Sequence, residues 1–244
     1  MLITGGGRGI GAATARLAAA RGYAVAVNYV KDDRTANAVV ADIRAAGGAA
    51  RAIRADVSRE SDVERLFAEA VRELGPLSVL VNNAGIVDLK TRVDEVHEPR
   101  LQRMMAINVV GSILCAAEAV RRLSTRHGGH GGNIVNLSSA ATKCGSPGEY
   151  VDYAASKGAI DVFTIGLARE VADEGIRVNA VRPGIIDTEI HASSGDAARA
   201  HRLAPGLPLH RPGTAQEVAN AILWLVSDEA SYCTGTILDV AGGR

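Results

Sequence analysis

The chain has 244 residues, 47% hydrophobic and 22% charged, with 27 Gly, 7 Pro and 3 Cys. That length suits one α/β domain with a sizeable core, and the composition excludes disorder, collagen-like repetition and a disulfide scaffold. Lys+Arg and Asp+Glu are both 27, so no net positive charge recruits nucleic acid or an acidic membrane.

Short apolar runs alternate with helix-length patterns along the chain. A weak first run, Leu2–Thr4, leads through a glycine turn into a helical stretch, Gly9–Arg21. Met1 to Gly5 has neither a basic nor an apolar leader, so no secretory signal is expected. Because the chain starts almost at the glycine turn, a start further upstream stays open. Strand-like Ala24–Tyr29, helical Arg34–Ala46, strand-like Ala50–Arg54 and helical Ser61–Leu74 follow, then strand-like Leu77–Val81 and helical Arg100–Arg126. The second half reads Asn133–Leu137, Val151–Glu174, Ile176–Val181, Ala215–Ser227 and Thr236–Val240 in the same alternation. Several runs are apolar throughout, which suits strands covered on both faces, and the repetition predicts a doubly wound parallel sheet. The longest uncharged, mostly apolar stretch, Met104–Ala117, is 14 residues and contains Asn108. That is short of the ~20 residues a membrane span needs. Cys115, Cys144 and Cys233 show no C-x-x-C pairing, which predicts a reduced, cytoplasmic compartment.

The turn Thr4-Gly5-Gly6-Gly7-Arg8-Gly9-Ile10-Gly11 stands at the first strand–helix junction. Glycines let the backbone turn sharply and approach a pyrophosphate, and a helix N-terminus offers free N–H groups and a positive dipole end. The spacing is T-G-x-x-x-G-x-G rather than G-x-G-x-x-G. Further on stand Asn82-Asn83-Ala84-Gly85, Asn108, Ser139, Tyr153-x-x-x-Lys157 and Pro183-Gly184, in order and with matching spacing. With these landmarks the whole chain resembles the short-chain dehydrogenase/reductase family. The stretch Gly145-Ser146-Pro147-Gly148-Glu149-Tyr150-Val151-Asp152-Tyr153 resembles a bacterial oxidoreductase branch near the sugar dehydrogenases. The resemblance implies a single-domain Rossmann fold over residues 1–244, with a seven-stranded parallel sheet and helices on both faces. It also implies a homotetramer or homodimer.

Tyr153 and Lys157 are four apart in a helical segment, so their side chains share a face. A phenol near its ordinary pKa of ~10 is a poor base, and a neighbouring ammonium is expected to lower it, giving reversible proton transfer to a carbonyl or from an alcohol. A serine at the preceding strand end would orient the substrate oxygen. Ser138 and Ser139 compete for that position. Counting back from Tyr153 by the family's spacing reaches Ala140, so one residue is taken as inserted between Gly145 and Asp152, which selects Ser139. Ser138 is then expected to approach the cofactor through its backbone. Asn108 is either a satisfied core amide or, as the resemblance implies, the residue that bends its helix and holds a water linking Lys157 to solvent.

Several further positions carry cofactor readings from the resemblance: Thr4, Gly5, Arg8, Gly9, Ile10 and Gly11 at the phosphates, Asp56 and Val57 at the adenine, and Asn83, Ala84 and Gly85 at a ribose. Tyr153 and Lys157 also contact the cofactor, and Pro183, Gly184, Ile186 and Thr188 meet the nicotinamide. Read without the resemblance, these are turn and capping residues. The second run ends Asn28-Tyr29-Val30-Lys31, with no carboxylate before Asp32 to repel a 2′-phosphate, and Arg8 is within reach of the same ribose. NADP(H) is therefore expected to be preferred over NAD(H). Residues 187–213 read as a substrate-covering loop, with His191, His201 and His210 as candidate substrate contacts or solvated loop histidines. His127 and His130 read as loop, so no metal site is expected. No G-x-S-x-G is present. The function this predicts is hydride transfer between the nicotinamide and a small-molecule carbonyl or alcohol. A catalytically silent dinucleotide-sensing regulator on the same fold is the alternative, which the Ser139, Tyr153 and Lys157 set disfavours.

Overall fold

Adjacent residues on each central strand point to opposite faces and both are buried, so the sheet needs helices on both sides. The computed structural model describes residues 1–190, 194–196 and 198–244. Seven strands form a parallel sheet: β1 (Leu2–Ile3), β2 (Val25–Tyr29), β3 (Ala50–Arg54), β4 (Val79–Asn82), β5 (Gly132–Leu137), β6 (Ile176–Pro183) and β9 (Ile237–Val240). Their spatial order is β3-β2-β1-β4-β5-β6-β9. On one face Ile3, Val27, Val81, Val135 and Val181 pack against Ala15, Val39 and Ile222. These come from α1 (Gly9–Ala20), α2 (Asp33–Ala45) and α9 (Ala215–Leu225). On the other face Leu2, Ala26, Leu80, Ile134 and Val178 pack against Phe67, Ala119 and Ala168. These come from α3 (Glu60–Leu74), α5 (Gly111–Leu123) and α7 (Val151–Glu170). The seven-stranded, doubly wound expectation holds.

The strand order reverses at the β1/β4 pair, where Leu2 lies beside Leu80 and Ile3 beside Val81. A crevice opens at the carboxyl ends of strands at such a reversal. The glycine turn after β1 and Asn83 after β4 therefore meet there.

Two features depart from the expected elements. The helix read as Arg100–Arg126 is α4 (Glu98–Met105) running into a π turn at Ala106–Val110 and on into α5. This 26-residue helix, Glu98–Leu123, is long and apolar enough to cross a membrane. Here it is a core helix, with Met104, Cys115, Ala116, Ala119 and Leu123 fully buried. The second departure lies between Asp187 and Gly213, where the described residues include regular elements that the sequence does not suggest. A small parallel pair, β7 (Ile186–Asp187) with β8 (Gly213–Thr214), ties the ends of this loop together. Inside it, α8 (Arg199–Leu203) carries Ala200, which packs with Ile185 and Leu207 as a separate small core.

Candidate active site

One continuous cleft of about 930 Å³ runs from the glycine turn, past Tyr29, Asp56 and Ala84, to Ser139, Tyr153 and Lys157. Gly5 and Gly9 take positive φ values of 60° and 52°, conformations that side-chain-bearing residues rarely adopt. A Cβ on Gly11 would lie 2.6 Å from both the Gly5 carbonyl oxygen and Asn83 Nδ2. Only glycine lets the α1 N-terminus sit this close to the strand end. Arg8 occupies the N-cap position without a capping hydrogen bond, so no side chain of its own caps the exposed N–H groups of the first turn. A dinucleotide's pyrophosphate fits such a cradle, with Gly9, Ile10 and Arg8 as its neighbours.

Thr4 and Gly11 shape this cradle without lining it. Thr4 is buried, and its Oγ1 accepts from the backbone N–H groups of Asn83 (3.0 Å) and Ala84 (2.9 Å). Asn83 Nδ2 donates back to the carbonyls of Thr4 (2.8 Å) and Gly5 (3.0 Å). Thr4 and the Asn83 amide thus hold two strand ends together, and Ala84 and Gly85 face the cleft. Asp56 lines the cleft and also makes its own turn, accepting from the N–H (3.0 Å) and Oγ (2.7 Å) of Ser58. Val57, Pro183, Gly184, Ile186 and Thr188 line the cleft as well. Asp32, the first carboxylate after β2, is occupied as the N-cap of α2, accepting from Thr35 N–H at 3.1 Å.

Tyr153 and Lys157 open α7, whose first turn is held to α4 by a two-pronged Arg100–Asp152 pair, 2.6 Å at its shorter contact. Lys157 is 4% exposed, and its Nζ donates to the Leu137 carbonyl at 2.7 Å and lies 5.9 Å from the centre of the Tyr153 ring. Ser139 lies near enough to the Tyr153 phenol to favour its ionised form, and its hydroxyl accepts from Ala141 N–H at 3.1 Å. Ser138 instead is buried, its Oγ donating to the Lys157 carbonyl at 3.4 Å. Of the two serines, Ser139 stands against Tyr153. Asn82, Asn136 and Thr164 form a buried chain beneath, Asn82 Nδ2 to Asn136 Oδ1 (3.0 Å) and Asn136 Nδ2 to Thr164 Oγ1 (2.9 Å), fixing β4, β5 and α7 in register.

The expected electrostatics need one correction. Burial pushes the Tyr153 phenol above its ordinary value, the Ser139 contact partly opposing it. Burial also pushes Lys157 down to about 8, with Asp161 opposing. Desolvation of both groups, rather than the pull of the ammonium on the phenol, dominates this site.

Asn108 sits inside the π turn and is fully buried. Its Oδ1 accepts from Ile86 N–H (2.8 Å), and its Nδ2 donates to the Ile86 carbonyl (2.9 Å) and Ser156 Oγ (3.1 Å). It lies behind Gly85, where a Cβ would come within 3.4 Å of Lys157 Nζ and 3.5 Å of Asn108 Oδ1. Side-chain satisfaction and interruption of the helix coexist here.

His201 and His210 are exposed and lie outside the cleft: His201 Nε2 is 3.4 Å from Asp187 Oδ2, and His210 Nδ1 is 3.2 Å from the Pro205 carbonyl. His191 falls outside the described residues. No cluster of three metal-ligating side chains occurs among the described residues. Tyr150, Arg199 and Arg103 line the cleft without having been singled out from the sequence. Tyr150 stood within the Gly145–Tyr153 landmark, while Arg199 and Arg103 had no motif to mark them.

A family model described as enoyl-(acyl carrier protein) reductase matches residues 5–244. The chain is 52% identical over 243 residues to the uncharacterized oxidoreductase YgfF of Escherichia coli K12, covering 100% of this chain and 98% of that protein. A solved short-chain dehydrogenase/reductase from Serratia marcescens is 33% identical with a TM-score of 0.90, covering 99% of this chain and 96% of that one. A blue fluorescent protein from a metagenomic library, solved in complex with NADPH, is 36% identical with a TM-score of 0.89 at the same coverage. Cradle, cleft, Tyr–Lys helix and relatives agree along the full length: the chain belongs to the short-chain dehydrogenase/reductase family of NAD(P)-dependent oxidoreductases.

Proposed function

We propose that the protein interconverts a carbonyl and a secondary alcohol, with NADP(H) preferred over NAD(H). The observation carrying this reading is that Ser139, Tyr153 and Lys157 line one end of a cleft whose other end is the glycine cradle. The cofactor supplies the hydride at its nicotinamide. Tyr153 exchanges the proton with the substrate oxygen, and Ser139 orients that oxygen and stabilises the charge building on it. Lys157, held by the Leu137 carbonyl, keeps a positive charge under the phenol and faces a ribose. Asn108, in its π turn, holds a water that links Lys157 to solvent. Residues 187–213 close over the substrate. Tyr153→Phe removes one hydroxyl and is expected to lower kcat by about 10²–10⁴-fold with cofactor binding kept. A variant retaining more than about a tenth of kcat overturns the assignment.

The cofactor preference is supported by the exposed Arg8 at the cleft and by the lack of a carboxylate on β2 before Asp32, which caps α2 while also lining the cleft. Its test compares kcat/KM for NADPH and NADH in the wild type and in Arg8→Ala. NADPH should be favoured, and the preference should collapse in the variant; a wild type favouring NADH refutes it. We also infer a cytoplasmic homotetramer or homodimer. Exposed Val110, Ile113 and Val162 on the helices flanking β4 and β5 support association, which light scattering on the eluting protein measures.

A further inference from the structure

Two polar atoms at the substrate end of the cleft have no partner. Tyr150 and Arg199 both line the cleft, yet are only 4% and 7% exposed. Tyr150 Oη and Arg199 Nε are buried without a hydrogen bond among the described residues. They belong to different elements, the turn before α7 and helix α8, and the Arg199 guanidinium stacks 5.3 Å from the centre of the Tyr150 ring. Buried polar groups normally find partners, so two unsatisfied donors side by side mark a place a ligand oxygen completes.

The charge balance narrows that oxygen's chemistry. Arg199 Nη2 reaches Glu149 Oε2 at 2.5 Å, but Lys90 Nζ holds the other oxygen of the same carboxylate at 2.8 Å. Two cations share one anion, leaving one positive charge over. Nearby, Arg100 pairs with Asp152, Arg103 with Asp88 and Arg202 with Asp196, whose carboxylate also acts on Lys90 and Arg199; Glu189 and Arg244 line the same cleft. A surplus of positive charge, shared between buried Arg199 and half-exposed Lys90, beside an unpartnered hydroxyl favours an ionised carboxylate over a neutral oxygen. The geometry points to Tyr150 and Arg199 as the residues that bind a carboxylate carried by the carbonyl substrate, so that the substrates are oxo acids and the corresponding hydroxy acids. This rests on the proposed carbonyl–alcohol function and names its substrate class.

The test is a binding measurement that needs no turnover. Protein loaded with NADP⁺ is titrated by calorimetry with 3-oxobutanoate, 4-oxopentanoate and 5-oxohexanoate, and with the methyl ester of each. At least one acid should bind about tenfold or more tightly than its ester, the weaker end of what a hydrogen bond to a charged group contributes. Tyr150→Phe should reduce that preference several-fold, Arg199→Met should abolish it, and Arg199→Lys should restore part of it by returning the charge. Restoration by Lys separates loss of the site from a collapsed loop. Acids binding no better than esters, or a preference that survives Arg199→Met, overturns the proposal. Hydride transfer is judged separately, by NADPH absorbance over a carbonyl library, so either reading can fail alone.

Discussion

Replacing Lys157 by Met should make the protein more stable at neutral pH while destroying its activity. Burial pushes the Lys157 ammonium from 10.5 to about 8. At about 1.4 kcal/mol per tenfold, keeping that group charged in the fold costs about 3 kcal/mol at pH 7. Methionine has a similar length and no charge, so this cost disappears. The loss of its donor to the Leu137 carbonyl takes back about 1–3 kcal/mol. The net gain at pH 7 is therefore modest, and its pH dependence is the sharper signature. The folded pKa lies below the unfolded one, so the unfolded chain binds the extra proton between about pH 8 and 10.5. Wild-type stability rises with pH across that window as the penalty fades. Urea unfolding of both proteins at pH 7, 8, 9 and 10 reads the difference directly. Met1, whose buried amine is pushed down to about 6, and Tyr153, pushed up, are common to both proteins and cancel to first order. The advantage of Lys157→Met should shrink by about 2–3 kcal/mol from pH 7 to pH 10. A difference that stays constant, or grows, refutes the assignment of the buried charge to Lys157.

Ser139→Ala should lower kcat by about 10²-fold, the effect of losing one preorganised donor, whereas Ser138→Ala should act mainly on cofactor affinity; equal kcat losses, or the reverse order in stopped assays, overturn the choice of Ser139. Gly11→Ala drives a methyl to 2.6 Å from the Gly5 carbonyl. It should cost about 1–3 kcal/mol, lower Tm by several degrees and weaken NADPH binding together, and an unchanged Tm with unchanged binding removes the cradle argument.

The doubly wound sheet was legible because its evidence is local and repeated. Leu80 and Val81, or Ile134 and Val135, are apolar neighbours on opposite faces, and that pattern states burial on both sides without any knowledge of partners. What stayed hidden was whatever depends on a few residues meeting distant ones. The π turn at Ala106–Val110 spans five residues and leaves no periodicity of its own, only the odd Asn108 within an apolar run. Two-residue strands β7 and β8 have no pattern to read, since their pairing is made by the loop they close. The same division holds in the site. Glycine cradle, Ser139 and Tyr153-x-x-x-Lys157 sit on strand ends and one helix turn, where spacing fixes geometry. Tyr150 and Arg199 meet only through the fold.

The one misjudged quantity in the catalytic set shows why spacing alone falls short of electrostatics. Four residues on a helix place Tyr153 and Lys157 on one face, and from that the ammonium is expected to draw the phenol down. Spacing carries no information about water. Once α7 is packed against β5 and the Ser139 turn, both groups lose solvent, and each is driven toward its neutral form. At neutral pH the resting site then holds a protonated phenol above a lysine that is still mostly charged. A protonated phenol donates; it does not accept. A protonated phenol is the form that can give its proton to a carbonyl oxygen, the step proposed above for Tyr153.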